Sequence, residues 1–249
     1  VFLVLIRQFQ KVVIRAVPGE EKEVLFRPKF LTKELPDDNT TAFRLIEQEL
    51  GHSLEVTKEL LNTSFFSLSD GGVKAVQKVS KLESLNDYLD EEIEDAILLM
   101  SRRSLKHDEG QRTTMLVRMS NLMERLGEHA EDIGDVATSF REKGRTVPKE
   151  QLEQLSSVYN TLKTNLQLLG EDVLSVDEST KVAIKSGTVA MNSRINVIYR
   201  EHLERMKDAS VPSDSTLLEL LTIMESANEK VRELAAIATE YAQLSSAQA

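Results

Sequence analysis

From about Thr40 to Leu244, apolar residues recur at intervals of three and four. That period fits the repeat of an amphipathic helix and little else. Six such stretches can be marked out. The first has Thr41 in place to cap it, carries Phe43, Ile46, Leu50, Leu54, Val56, Leu60 and Leu61, and ends around Ser67, Ser69 and Asp70-Gly71-Gly72. The second spans about Val73 to Arg103, with a stripe of Val79, Leu82, Leu85, Leu89, Ile93, Ala96 and Met100. The third spans about Asp108 to Lys143. Its Met115, Met119, Leu122, Leu126, Ala130, Ile133 and Ala137 have the mixed stepping of a bundle seam. Gly144 stops it, and Pro148 stands just inside the next start. The fourth, fifth and sixth cover about Pro148–Gly170, Ser179–Lys207 and Thr216–Leu244, with a Pro212-containing turn before the last. Three helices followed by three helices predict an all-α fold of two tandem three-helix bundles, residues 40–145 and 146–249.

The front of the chain breaks this pattern. Val1-Phe2-Leu3-Val4-Leu5-Ile6 is apolar but too short to span a bilayer, which takes about 20 residues. It has neither a charged n-region nor a small-residue cleavage site, so it does not read as a signal peptide. Arg7, Lys11 and Arg15 follow, with no acid before Glu20, the charge asymmetry found at the cytoplasmic end of a membrane helix. Residues 1–17 are therefore expected to be the tail of a transmembrane helix with a basic juxtamembrane segment, on the cytoplasmic side of the inner membrane. The alternative is an ordinary buried strand. Pro18-Gly19 interrupts the segment, and residues 18–39, charged and containing Pro28 and Pro36, read as a linker.

Composition removes several functional classes. The net charge of −10 argues against non-specific nucleic-acid binding, which needs clustered Lys and Arg. It suits a metal ion or a basic protein face. With no Trp and few aromatics, stacking platforms for single strands are not expected. With no Cys, disulfides, thiol nucleophiles and thiolate metal sites are excluded. The four His are scattered, which disfavours an imidazole-rich zinc site.

Two helices carry acidic rows beside their apolar seams: Glu83, Asp87, Asp90 and Glu94 on the second, and Glu124, Glu128, Glu131 and Asp135 on the third. Steps of three and four stack these side chains on one face. Leu122 and Glu124 point roughly 200° apart, and Leu82 and Glu83 roughly 100°, so the acids lie off the seam. Like charges one turn apart repel by about 0.2–0.5 kcal/mol per pair, which a bound cation would relieve. Oxygen ligands suit Mg, Ca, Mn or Fe, and also Zn. Spacing alone more often marks a solvated acidic face.

The stretch Leu122-Met123-Glu124-Arg125-Leu126-Gly127-Glu128-His129-Ala130-Glu131-Asp132-Ile133 resembles the signature helix of the PhoU family, which reads Leu-Glu-Arg-Ile-Gly-Asp-His-Ala-x-Asn-Ile there. Leu82-Glu83-Ser84-Leu85-Asn86-Asp87 resembles that family's other Glu-x-x-x-Asp motif. The resemblance covers about Thr40 to Ala242. It implies two three-helix bundles with such motifs in both halves, some members binding multinuclear metal clusters. By this analogy Glu83, Asp87, Glu124 and Glu128 are the candidate ligands in the first bundle. Glu225 and Glu229 are the candidates in the second, for Mg, Mn, Fe or Zn. The second half departs from the pattern: Asn192 and Asn196 stand where the family has carboxylates, and Glu128 and Glu229 replace Asp.

Val1 to Glu23 resembles the junction between the last membrane helix and the PhoU-like domain of bacterial sodium/phosphate cotransporters, and Tyr199 to Arg205 is similar to that subfamily's fifth helix. The resemblance implies a cytoplasmic regulatory domain that modulates phosphate uptake or export. Its partners would be the membrane transport domain of the same polypeptide and phosphate-signalling proteins, with oligomerisation left open. The alternative is a free-standing PhoU-type adaptor that binds a transporter or a sensor kinase.

No Gly-rich phosphate loop, dinucleotide fingerprint, paired-His zinc helix or nucleophile elbow appears. An enzyme is not expected. A ferritin-like carboxylate enzyme would need a Glu-x-x-His pair on each of two helices, and only Glu49 and His52 supply one. His129 is open to two readings, a ligand or base, or a histidine hydrogen-bonded to a neighbouring helix. Met115, Met119 and Met123 read as core fillers.

Overall fold

The computed structural model describes residues 26–32, 34–69, 73–170, 173–207 and 216–246. The expected membrane-helix tail and residues 18–25 of the expected linker lie outside them. The described residues form six long helices and no strand. They are α1 (Asn39–Ser67), α2 (Val73–Ser101), α3 (His107–Glu142), α4 (Lys149–Leu168), α5 (Glu178–Met206) and α6 (Thr216–Ser246). A single 3-10 turn, Val173–Ser175, joins α4 to α5. Among the described residues no helix is long and apolar enough to cross a membrane.

The helix ends follow local chemistry. The cap of α1 is Asp38 rather than Thr41, because its carboxylate accepts the Thr41 N–H at 2.8 Å. Asp177 does the same for Thr180 at the start of α5, at 2.7 Å. Both carboxyls are held below their ordinary pKa, Asp38 by hydrogen bonds from the Thr41 side chain and backbone and Asp177 by those from the Thr180 backbone and side chain. Pro148 lies at the cap position of α4, one residue earlier than expected. At the end of α3, Gly144 turns left-handed (φ 63°). There its N–H reaches the Arg141 carbonyl and the Arg145 N–H reaches the Phe140 carbonyl, both at 2.8 Å. This pair of bonds is a Schellman stop, and glycine takes the positive φ without the clash a Cβ would bring.

The helices sort three and three. α1, α2 and α3 pack on one another, as do α4, α5 and α6. The two bundles are then joined along α3 and α6, with a smaller contact of α1 with α4 and with the 3-10 turn. This arrangement explains why α5 and α6 have such different sequences. α5 is an outer helix that buries a single seam of Ile184, Thr188, Met191, Ile195, Ile198 and His202, stepping by three and four. α6 is covered from both sides, and Leu217, Leu220, Met224, Ala227, Val231, Leu234, Ala235 and Ala238 are all fully buried. A helix apolar around most of its circumference has to lie inside.

Two aromatic contacts fix the bundles against each other. Phe65 of α1 stacks on Tyr159 of α4 with ring centroids 3.9 Å apart. Tyr241 of α6 donates to Glu47 of α1, while Arg112 of α3 donates to the same carboxylate at 2.5 Å and to the Tyr241 oxygen at 3.1 Å. The Arg112 guanidinium also lies 4.5 Å from the Phe43 ring centroid. Burial pushes the Tyr159 and Tyr241 phenols far above their ordinary range, so both stay neutral donors. The half-buried Arg112–Glu47 pair is tolerable because both charges are paired and hydrogen-bonded.

The described part of the segment read as a linker lies on the first bundle. Leu31 is buried in the core, and Arg103 donates to the carbonyls of Leu35 at 3.3 Å and Pro36 at 2.7 Å.

Candidate functional site

α2 and α3, which carry the acidic rows, run antiparallel. Two glycines of α3 set the register. A Cβ on Gly127 would lie 2.4 Å from the Asn86 amide nitrogen, and a Cβ on Gly134 would lie 2.9 Å from Val79. Asn86 and Val79 are thus the α2 residues opposite these glycines, and the two pairs are seven residues apart on each helix. The bare glycine backbone lets α2 come close.

This register brings Asp90 and Glu94 of α2 together with Glu124 of α3. One carboxylate oxygen from each lies within 4.8 Å of the other two. Asp90 and Glu124 are half-buried and Glu94 is exposed, so the group opens to solvent on one side. Ser120, one turn before Glu124, donates to Asp90 at 3.3 Å. Three carboxylate oxygens from two rigid helices are an all-oxygen donor set, the kind chosen by Mg and Mn and accepted by Fe and Zn.

Of the residues expected to form the first-bundle site, Glu124 belongs to this group. Glu83, Asp87 and Glu128 lie on the same two helices but outside it. Asp90 and Glu94 belong to the acidic row seen in the sequence, yet their convergence on Glu124 depends on the interhelical register, which spacing along one helix cannot show.

In the second bundle, Glu225 and Glu229 of α6 are both half-buried. Arg232, one turn on, holds Glu229 through Nε and Nη2, each at 2.7 Å. Among the described residues no three acids converge there. Asn192, which stands in a carboxylate position of the PhoU pattern, has a buried amide oxygen that accepts no hydrogen bond.

Each bundle also contains a buried polar layer that the sequence reading missed. In the first, the Thr57 hydroxyl meets the Asn86 amide oxygen at 2.8 Å, next to Gly127. In the second, the Asn165 amide donates to Asn228 at 2.8 Å and the Asn228 amide donates to Thr188 at 3.0 Å. A Cβ on Gly187 would lie 2.3 Å from the Asn165 oxygen. The signal that was available is a glycine in mid-helix at a seam position, where glycine costs helix stability unless a neighbour needs the space.

The single Glu-x-x-His pair has a structural use. Glu49 is fully buried and lies 2.8 Å from His52, and its oxygens also accept three backbone N–H groups. A carboxylate so occupied offers little to a metal ion. For His129, the Nδ1 atom is buried, makes no hydrogen bond, and lies 3.9 Å from Asp132 on its own helix. Met119 and Met123 are buried core residues, as expected.

The PhoU domain family model matches residues 50–137, from the middle of α1 to near the end of α3. That span includes both acidic rows. A search of curated protein sequences finds no match. Among solved structures, the chain is similar to PhoU from Pseudomonas aeruginosa, with a TM-score of 0.65 at 12% sequence identity. The similarity covers 83% of this chain and 96% of the PhoU chain. The chain therefore has the PhoU fold, with a PhoU domain match over the first bundle.

Proposed function

We propose that this chain is the cytoplasmic, PhoU-like regulatory domain of a sodium-dependent phosphate cotransporter, modulating phosphate uptake or export. The observation that carries the regulatory part is the PhoU fold, together with a PhoU domain match that falls on the acid-bearing helices. The transporter part rests on the apolar Val1–Ile6 segment and the basic Arg7, Lys11 and Arg15 that follow it. In this reading the bundles dock on cytoplasmic loops of the membrane domain and the chain does no catalysis. A divalent or ferric ion held by Asp90, Glu94 and Glu124 would neutralise the acidic flank and fix α2 against α3. Glu83, Asp87 and Glu128 would extend the same acidic surface.

The test is phosphate flux in cells expressing the full-length protein. Reversing charge at Glu124 and Glu128 together should change flux while the purified domain keeps its helical signal. Unchanged flux, with no metal found by elemental analysis, would reduce the acidic rows to solvated surface.

A second reading, a free-standing phosphate-signalling adaptor, is favoured by one observation. The fold match takes in 96% of the PhoU chain, so this chain holds nearly everything that protein comprises. Fractionation of the natural full-length product separates the two readings. The cotransporter reading expects it in the membrane pellet, and the adaptor reading expects it in the supernatant.

A further inference from the structure

The segment ahead of α1 is gripped at two points, both through its backbone. At one end Glu49, with no exposed surface, accepts the N–H of Lys29 at 3.1 Å, of Phe30 at 2.6 Å and of Leu31 at 3.0 Å. Three successive N–H groups converging on one carboxylate make an anion nest, here filled from within the protein. At the other end Arg103, just past α2, donates to the carbonyls of Leu35 at 3.3 Å, Pro36 at 2.7 Å and Asp37 at 3.4 Å. An acceptor from α1 and a donor from the α2–α3 turn thus hold the two ends of one strap. Apolar contacts add to the grip: Leu31 is buried, Leu35 is half-buried, the Phe30 ring meets His52 edge-on at 6.5 Å and the Phe26 ring lies 6.3 Å from Tyr88.

We propose that this strap is a latch, a rigid joint that sets the direction in which the chain enters the bundles and that can be released without unfolding them. Both clamps recognise peptide groups rather than strap side chains. The strength of the joint is therefore written in two helix-side residues, Glu49 and Arg103. Apart from the Asp38 cap, the helices take none of their own hydrogen bonds from the strap, and most of their core lies elsewhere. The inference holds whatever precedes residue 26.

Charge around Glu49 decides what releases it. His52 faces it from α1, Tyr88 and Glu92 lie on the α2 side, and Arg27 and Lys29 come from the strap. Burial pushes the Glu49 carboxyl up, but the bonds from His52, Phe30, Leu31 and Lys29 outweigh it and hold the group below its ordinary value. Glu49 therefore stays an ionised acceptor through neutral pH.

Hydrogen exchange of the whole chain, read peptide by peptide, tests this. The amides of residues 29–31 should be protected in the wild type. Glu49→Gln should speed their exchange roughly ten- to hundred-fold, since bonds to a charged acceptor are lost, with α1, α2 and α3 unchanged. Arg103→Leu should loosen the same strap from its other end even if Glu49→Gln proves hard to fold. Arg141→Leu is the control, because Arg141 makes the same guanidinium-to-carbonyl bonds to Ser67 and Ser69 at the far end of α1. It should leave the strap untouched. Unprotected strap amides in the wild type would overturn the proposal. So would strap and α1 opening together in both Glu49→Gln and Arg103→Leu, because then no separable latch exists.

Discussion

The two bundles share one device and use it differently. In each, a glycine in mid-helix lets a buried asparagine cross the seam. In the first bundle Asn86 crosses to Gly127, and the polar layer ends at Thr57, whose hydroxyl also lies 2.9 Å from the Ser53 carbonyl. In the second bundle Asn165 crosses to Gly187, and the layer continues through Asn228 to Thr188 and the Ile184 carbonyl. The acids differ in parallel. Those of the first bundle converge across two helices at an open flank, while Glu229 of the second is bound by Arg232 on its own helix. The second bundle thus ties Glu229 to its own helix and closes the Asn165–Asn228–Thr188 layer within itself, while the Asn192 amide oxygen stays buried without a donor. The first presents carboxylates outward, and it is also where the PhoU domain match falls.

The largest effect should come from filling the glycines. In an exposed helix Gly→Ala gains up to about 1 kcal/mol. At Gly127 and Gly187 the new methyl would displace a buried amide, costing about 1–3 kcal/mol in overpacking and a similar amount in lost hydrogen bonding. Both variants should therefore shift the denaturant midpoint downward. A rise in either would show that its polar layer is slack. Next in size is removal of the amides. Asn228→Leu strips Asn165 of its acceptor and Thr188 of a donor, and should cost about 2 kcal/mol. Asn86→Leu should cost about 1 kcal/mol, because the Thr57 hydroxyl keeps the Ser53 carbonyl. Equal losses would erase the distinction between the bundles.

Acid provides a smaller effect with a definite sign. The folded-state pKa of Glu49 is depressed, so its contribution is complete above the ordinary glutamate value. It is lost as pH falls through the lower folded value. Stability followed from pH 6 downward should thus fall less steeply in Glu49→Gln than in the wild type; parallel curves would contradict the assignment. Smallest is Glu124→Gln without added metal. It relieves like-charge repulsion with Asp90 and Glu94 and should raise stability by about 0.2–0.5 kcal/mol. Glu229→Gln should lower stability by no more than about 0.5 kcal/mol, the scale of an exposed ion pair.

The helices are legible in the sequence because their seams repeat over about five to ten turns, and misplacing one end by a residue does not disturb the stripe. The stripe positions Leu89, Ile93, Leu126 and Ile133 are all buried. The sequence offers Thr41 and Asp38 alike as capping residues, and only the backbone geometry chooses Asp38. The acidic rows were legible one helix at a time. The trio Asp90, Glu94 and Glu124 was not, because it depends on how far α3 slides along α2, and Gly127 and Gly134 set that. The strap was read as a linker because its clamps lie far along the chain. Glu49 is 18 to 20 residues from the amides it accepts, and Arg103 is 66 to 68 from the carbonyls it binds.

Calorimetric titration of Mn²⁺ into the purified chain, repeated on Glu124→Gln and Glu229→Gln, probes the difference between the bundles most directly. Mn²⁺ should bind the wild type, fail to bind Glu124→Gln, and bind Glu229→Gln as it does the wild type. Binding that survives Glu124→Gln, or that disappears equally in both variants, would contradict a cation site confined to the first bundle.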